Sequence, residues 1–141
     1  MNYGRITTAA IVIFLYIFVY EFALHSFVLA DLYEEHQHLL RQQHESNIIY
    51  FLLMLLGFLF VSFGFCYIFA RGYENGGMVE GLRFGALIGG TFAISGTLVE
   101  YSVFPIPDNW LAPWLIGYML QWIVAGLIVA GIYRPKSDNG K

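Results

Sequence analysis

Four long apolar stretches, at 6–30, 47–70, 82–104 and 110–133, dominate this chain of 141 residues. A helix needs about 20 residues to cross the roughly 30 Å hydrocarbon core of a bilayer, and each stretch is longer than that. Because backbone polar groups find no water in hydrocarbon, a helix is the expected form of each stretch. The sequence therefore predicts an all-α integral membrane four-helix bundle, a single transmembrane domain over residues 1–141 whose spans are numbered 1 to 4 along the chain.

The composition excludes an ordinary soluble domain. The chain is 58% hydrophobic and 12% charged, whereas a soluble domain carries about 25% charged residues. A small soluble core could not bury this much apolar surface, so the lipid bilayer is the predicted partner. A net charge of -3 without any basic patch gives no indication of nucleic-acid binding.

The basic residues fall mainly on one side of a four-span arrangement. They lie before span 1, on either side of the link between spans 2 and 3, or after span 4: Arg5, Arg71, Arg83, Arg134, Lys136 and Lys141. Only Arg41 lies between spans 1 and 2. The positive-inside rule predicts both termini in the cytoplasm and the loop 31–46 on the outer side. The leucines and charges of that loop predict a short amphipathic helix on the outer membrane surface.

Span 3 carries a ladder of small residues at four-residue spacing, Gly81, Gly85, Gly89 and Ala93. Small residues allow the backbones of membrane helices to approach closely. The predicted partner face lies on span 4: Gly117, Gln121 and Ala125. Two arrangements satisfy the pattern, a seam inside the bundle or a seam between two copies of the chain.

Three ionisable side chains lie inside predicted spans, Glu21 and His25 on span 1 and Glu100 on span 3. Ionisable groups within a membrane are costly and commonly mark functional sites. Glu21 and His25 are four residues apart and share a helix face. The three side chains form one outward-facing polar site if spans 1 and 3 touch. In the alternative, the first two bond to neighbouring helices and Glu100 extends toward the interface.

The outer loop adds Glu35, His36 and His38, with His44 and Glu45 further on. Glu35 and His38 form an E-x-x-H pair, whose spacing puts both side chains on one face of a helix, as in di-metal carboxylate bundles. Imidazole suits zinc, copper, iron or nickel. A divalent metal ion on the outer side is therefore one hypothesis, and a solvated loop face is the other.

No catalytic motif is present. The chain has no P-loop, no G-x-S-x-G and no H-E-x-x-H. Its one cysteine, Cys66, lies within an apolar run, which excludes a disulfide within the chain and a CxxC metal site. The sequence gives no reason to expect an enzyme.

Two segments, YIFARGYE at 67–74 and EGLRFG at 80–85, are followed by YSVFPIP at 101–107 and a final IYR at 132–134. Together they resemble a family of small, uncharacterised four-span bacterial membrane proteins. The resemblance covers spans 2 to 4 and, more loosely, the region of His25. It implies a bacterial inner membrane and the same topology, but no activity and no functional residue. Within the first two segments, Arg71, Glu74, Glu80 and Arg83 are expected to pair across a cytoplasmic turn.

Two functional hypotheses follow. The first is an accessory or scaffolding subunit that associates with a larger membrane complex or with itself, because packing features are plentiful and catalytic motifs are not found. The second is a metal- or proton-handling protein with an outward site. That site contains Glu21, His25 and Glu100 and is completed by Glu35, His36 and His38.

Overall fold

The computed structural model describes residues 1–41, 47–133 and 135, and within them every regular element is helical. Helix α1 (Tyr3–Ala23) continues into a π-helical turn (Leu24–Val28). Helix α2 (Ala30–Glu34) and a 3₁₀ turn (Gln37–Leu39) follow. The long helices are then α3 (Ile48–Arg71), α4 (Gly77–Val103) and α5 (Asp108–Ile132). Helix α1 with its π-helical turn, α3, α4 and α5 are each long and apolar enough to cross a membrane, which confirms the predicted all-α architecture with four candidate spans.

Helices α4 and α5 pack directly against each other through the predicted ladder. Gly81, Gly85, Gly89 and Ala93 are all buried in α4. A Cβ atom on Gly81 would overlap the backbone of Gly126, and one on Gly89 would lie 3.1 Å from Cβ of Trp122. The two helices run antiparallel, since early α4 positions meet late α5 positions. The ladder therefore serves a seam inside the bundle.

The face of α5 against this ladder differs from the predicted one. It consists of Met119, Trp122, Ile123, Gly126 and Ala130. Gly117 instead faces Leu24 of the π-helical turn, and Gln121 bonds to Glu21 of α1. The four-residue spacing of Gly117, Gln121 and Ala125 correctly marks a buried stripe. Since α5 contacts both α1 and α4, spacing alone could not tell which neighbour that stripe faces.

The bundle is tighter at one end than at the other. The apolar core joins α1 to the second half of α3 and the end of α5, including Ile13, Phe65, Cys66, Phe69 and Val129. In contrast, α3 has no buried residue before Ser62. We call the first region the termini end and the opposite one, formed by residues 24–41 and 104–110, the α2 end. The first half of α3 therefore leaves space between itself and α4.

The loop predicted to lie on the outer side contains one short helix, but this helix ends before the E-x-x-H pair. Helix α2 has five residues, and the chain turns at His36, whose φ and ψ are -130° and 35°. The 3₁₀ turn then begins at Gln37. Glu35 and His38 are thus not on one helix face, and the prediction from E-x-x-H spacing is wrong. Residues 42–46, which include His44 and Glu45, lie outside the described residues.

The turn between α3 and α4 is held by a carboxylate and not by ion pairs. The backbone N–H groups of Glu74 and Gly76 donate to the two carboxylate oxygens of Glu80, each at 2.7 Å. Asn75 within this turn has a positive φ of 65°. The predicted pairing of these acids with Arg71 and Arg83 is absent from the described residues, because Glu80 turns back onto the loop that precedes its own helix.

Replacing Glu80 with alanine is expected to destabilise the protein by about 1–3 kcal/mol, because two backbone donors lose a charged acceptor. The measurement is equilibrium unfolding in mild detergent. Glu74→Ala is the matched control, since Glu74 contributes its backbone N–H to the turn. Equal stability of the two variants would show that the loop does not depend on the Glu80 carboxylate.

Candidate functional site

A chain of polar contacts connects α1 to α5 inside the bundle. His25 Nε2 lies 3.0 Å from a carboxylate oxygen of Glu21. The other oxygen of Glu21 accepts a hydrogen bond of 2.8 Å from the side-chain amide of Gln121. The side chain of Glu21 is 16% exposed and that of His25 is 33% exposed. The predicted sharing of one face by Glu21 and His25 is thus realised as a direct contact.

Tyr33 and Trp114 extend this chain toward the α2 end. The Tyr33 hydroxyl lies 2.6 Å from His25 Nδ1, and the indole N–H of Trp114 donates to Tyr33 at 2.8 Å. An indole N–H only donates, so the Tyr33 oxygen accepts from it and its own proton is directed to His25. Nδ1 is then the acceptor of His25, and Nε2–H donates to Glu21. Burial raises the pKa of Tyr33 to about 12, which keeps this hydroxyl protonated.

Two more hydroxyls fix α1 against α5. Tyr20 donates to the backbone oxygen of Gly117 at 2.8 Å, and Tyr16 donates to that of Gln121 at 3.3 Å. Beyond them the π-helical turn begins, where the Leu29 N–H bonds to the carbonyl of Leu24. Single π-helical turns often occur at functional sites. Here the turn carries His25 within reach of α2.

A cleft of about 240 Å³ lies beside Glu21 and has walls from all four long helices. Its polar lining residues are Glu21, Thr97, Glu100, Tyr118 and Gln121. The carboxylate of Glu100 makes no hydrogen bond or ion pair to any described residue, and Glu100 is exposed. The predicted trio is therefore brought together in part, because Glu21 and Glu100 share the cleft while His25 reaches it through Glu21.

Thr97 is exceptional among the hydroxyl residues of the spans. Its side chain is 3% exposed, and its Oγ1 has no partner among the described residues. Ser62, Thr91 and Ser102 instead donate to the carbonyl four residues earlier in their own helices. The buried hydroxyl of Thr97 thus remains available to whatever enters the cleft.

An apolar groove of about 700 Å³ adjoins the cleft, between α3 and α4. The groove and the cleft share Val61, Phe92 and Trp122 in their walls. Gly57 and Gly64 line the groove, and a Cβ atom on either would meet nothing within 4 Å. The groove occupies the space that the open first half of α3 leaves.

The remaining predicted site residues lie apart from this cleft. His36 packs edge-on against Trp110 at a centroid distance of 5.9 Å, and His38 is 6.2 Å from His36. Glu35 is exposed. Within residues 1–41, 47–133 and 135, no three His, Cys, Asp or Glu side chains are grouped so that they could hold one metal ion.

Sequence reasoning missed Thr97, Tyr118, Tyr33 and Trp114 as parts of the site. Tyr33 and Trp114 lie near predicted ends of spans 1 and 4, where aromatic residues are common because they favour the membrane interface. Their polar groups were the available signal, since a buried Tyr O–H or Trp N–H usually has a partner. The sequence did not single out Thr97 as a site residue. It lies four residues after Ala93 and therefore continues the spacing of the small-residue ladder.

No protein-family model, no curated protein and no solved structure matches this chain.

Proposed function

We propose that this chain is a proton-handling protein of the bacterial inner membrane, with both termini in the cytoplasm and the α2 end facing outward. The orientation is supported by the distribution of Lys and Arg, and the bacterial source by the resemblance of spans 2 to 4. The observation that carries the proposed function is the continuous chain of Tyr33, His25 and Glu21. It leads from α2 to a cleft bounded by four apolar helices.

The chemistry of this chain suits proton transfer. Imidazole can both accept and donate a proton, and it changes charge near neutral pH. A proton that reaches Nδ1 of His25 through the Tyr33 hydroxyl makes the ring an imidazolium. The Nε2 proton then passes to Glu21, which leaves a neutral ring protonated at Nδ1. Glu21 thereby becomes a neutral acid facing the cleft, still bonded to Gln121.

The accessory or scaffolding role stays a prediction from the sequence. Exposed apolar side chains such as Phe60 and Leu87 cover α3 and α4, and contact with lipid requires the same surface as contact with a partner helix. The internal polar chain is a more specific feature, because burying ionisable groups within a membrane is costly. Metal binding, the other part of the second hypothesis, has no support, because no three His, Cys, Asp or Glu side chains among the described residues are grouped to hold a metal ion.

The test is proton flux into proteoliposomes that contain a trapped pH-sensitive dye, driven by a potassium diffusion potential. We expect flux above that of empty liposomes for the wild type. Glu21→Gln should reduce the excess flux at least about tenfold, because glutamine cannot exchange a proton at neutral pH. Glu34→Gln is the matched control, since Glu34 is exposed and outside the polar chain.

A second readout covers proton binding without transport. Infrared difference spectra between acid and neutral pH should contain one component of the carboxylic-acid bands in the wild type that Glu21→Gln removes and Glu34→Gln leaves in place. Wild-type flux equal to that of empty liposomes, together with a spectrum unchanged by Glu21→Gln, would contradict the proposed function.

A further inference from the structure

We infer that the cleft and the adjoining groove together bind an amphiphile whose polar end is a protonated amine. The inference names the ligand class of the proposed site, and it rests on the location of that site but not on proton movement. It is carried by four features: the carboxyl groups of the cleft, its aromatic walls, the unpartnered Thr97 hydroxyl, and the apolar groove.

The charges in the cleft favour a cation. Glu21 and Glu100 supply two carboxyl groups, and no Lys or Arg is among the described residues that line the cleft. The Glu100 carboxylate has no hydrogen bond or ion pair with a described residue, so one of its oxygens can accept from an ammonium group without breaking an existing bond. The two carboxyl groups would repel an anionic head group, and no Lys or Arg lines the described cleft to offset that repulsion.

The aromatic residues of the cleft favour a cation as well. Phe58, Phe92, Tyr118 and Trp122 contribute to its walls. The faces of aromatic rings attract ammonium groups, and desolvated pairs are the stronger ones. The buried Thr97 oxygen adds an acceptor that a protonated amine can use and that no described residue occupies. A carboxyl group, aromatic faces and a hydroxyl thus surround one small volume.

The groove can hold the apolar chain of an amphiphile whose amine lies in the cleft. Along α4, Glu100 and Thr97 line the cleft, Phe92 lines both spaces, and Ile88 lines only the groove. Ile88 lies twelve positions before Glu100, which corresponds to about 18 Å along the helix. One leaflet of the hydrocarbon core is about 15 Å thick. An amphiphile with its amine at Glu100 can therefore extend its chain inward along the groove.

The test is calorimetric titration of dodecylammonium, below its micellar concentration, into the whole protein in lipid nanodiscs, with empty nanodiscs subtracted. We expect saturable binding with one site per chain. Dodecanol, which has the chain without the charge, and ethylammonium, which has the charge without the chain, should each bind at least about tenfold more weakly. Equal binding of dodecanol would overturn the inference, as would the absence of saturable dodecylammonium binding.

Variants separate the two halves of the site. Glu100→Gln should weaken dodecylammonium binding about tenfold by removing the charged acceptor. Gly64→Leu should weaken it comparably by filling the groove, and it should fold because Gly64 faces open space. Ser102→Ala on α4 is the control, since Ser102 bonds within its own helix. Unchanged affinity in both test variants would place the bound amphiphile elsewhere and overturn the inference.

This experiment applies no proton gradient, so its outcome is separate from that of the flux assay. Dodecylammonium binding with neither proton flux nor an infrared change in Glu21→Gln would contradict the proposed function and leave the ligand class standing. Proton flux without dodecylammonium binding would support the proposed function and contradict the ligand class.

Discussion

Gly85→Ala is expected to destabilise the bundle by at least about 3 kcal/mol, at the upper end of the range for overpacked sites. The added Cβ would overlap the carbonyl oxygen of Trp122 and lie 2.9 Å from Cα of Ile123. Both are backbone atoms, so no side-chain rotation relieves the overlap. Helices α4 and α5 would have to separate, and the close contacts along the whole ladder would weaken together.

The matched control for this change is Gly90→Ala, also in the middle of α4. A Cβ atom at Gly90 meets nothing within 4 Å, so the same chemical change should leave stability within about 0.5 kcal/mol. The measurement is reversible unfolding in mixed micelles, followed by circular dichroism. Equal stability of Gly85→Ala and Gly90→Ala would show that the backbones of α4 and α5 are not in close contact at Gly85.

Trp110→Ala is expected to cost about 3–5 kcal/mol, the range for removing a large buried aromatic side chain. Trp110 is 1% exposed, and its indole N–H donates to the carbonyl of Leu32 at 3.2 Å. Its ring packs edge-on against Tyr33 at a centroid distance of 4.7 Å. The variant should therefore release α2 from α5 and remove Tyr33 from His25.

Two measurements test this expectation. Equilibrium unfolding gives the loss of stability, and amide hydrogen exchange over residues 29–41 shows whether the α2 end opens. Phe104→Ala is the control, because Phe104 is an aromatic residue at the same end that is 59% exposed. The stability of Trp110→Phe should lie between those of the wild type and Trp110→Ala, since phenylalanine keeps an aromatic ring but loses the indole N–H. Unchanged exchange over 29–41 in Trp110→Ala would contradict the anchoring role of Trp110.

The agreement between sequence and structure is best where one physical constraint acts on a long segment. Hydrocarbon requires long apolar helices, so the four spans were predicted nearly at their observed positions. The ladder of Gly81, Gly85 and Gly89 was predicted as a packing surface, because only small residues allow such a close approach. The i, i+4 spacing of Glu21 and His25 likewise predicted their shared face.

The agreement is poorest in short segments and in the choice between neighbours. Gly117 and Gln121 were assigned to the seam with α4, but they face α1. Glu35 and His38 were expected on one helix face, yet the chain turns at His36, since tertiary contacts decide the conformation of segments too short to be stable alone. The contact between Glu74, Gly76 and Glu80 also depends on how the chain folds back after α3.

By itself, the sequence determined that this chain forms four helices long and apolar enough to span a membrane and that Glu21, His25 and Glu100 lie within them, because hydropathy and helical spacing are local properties. Only the tertiary structure decided that α5 lies against both α1 and α4, that Tyr33 and Trp114 complete a chain to His25, and that Thr97 faces a cleft. These contacts between α1 and α5 join residues as far as 105 positions apart. Their partners are selected by how four helices pack together, which no spacing along one helix can specify.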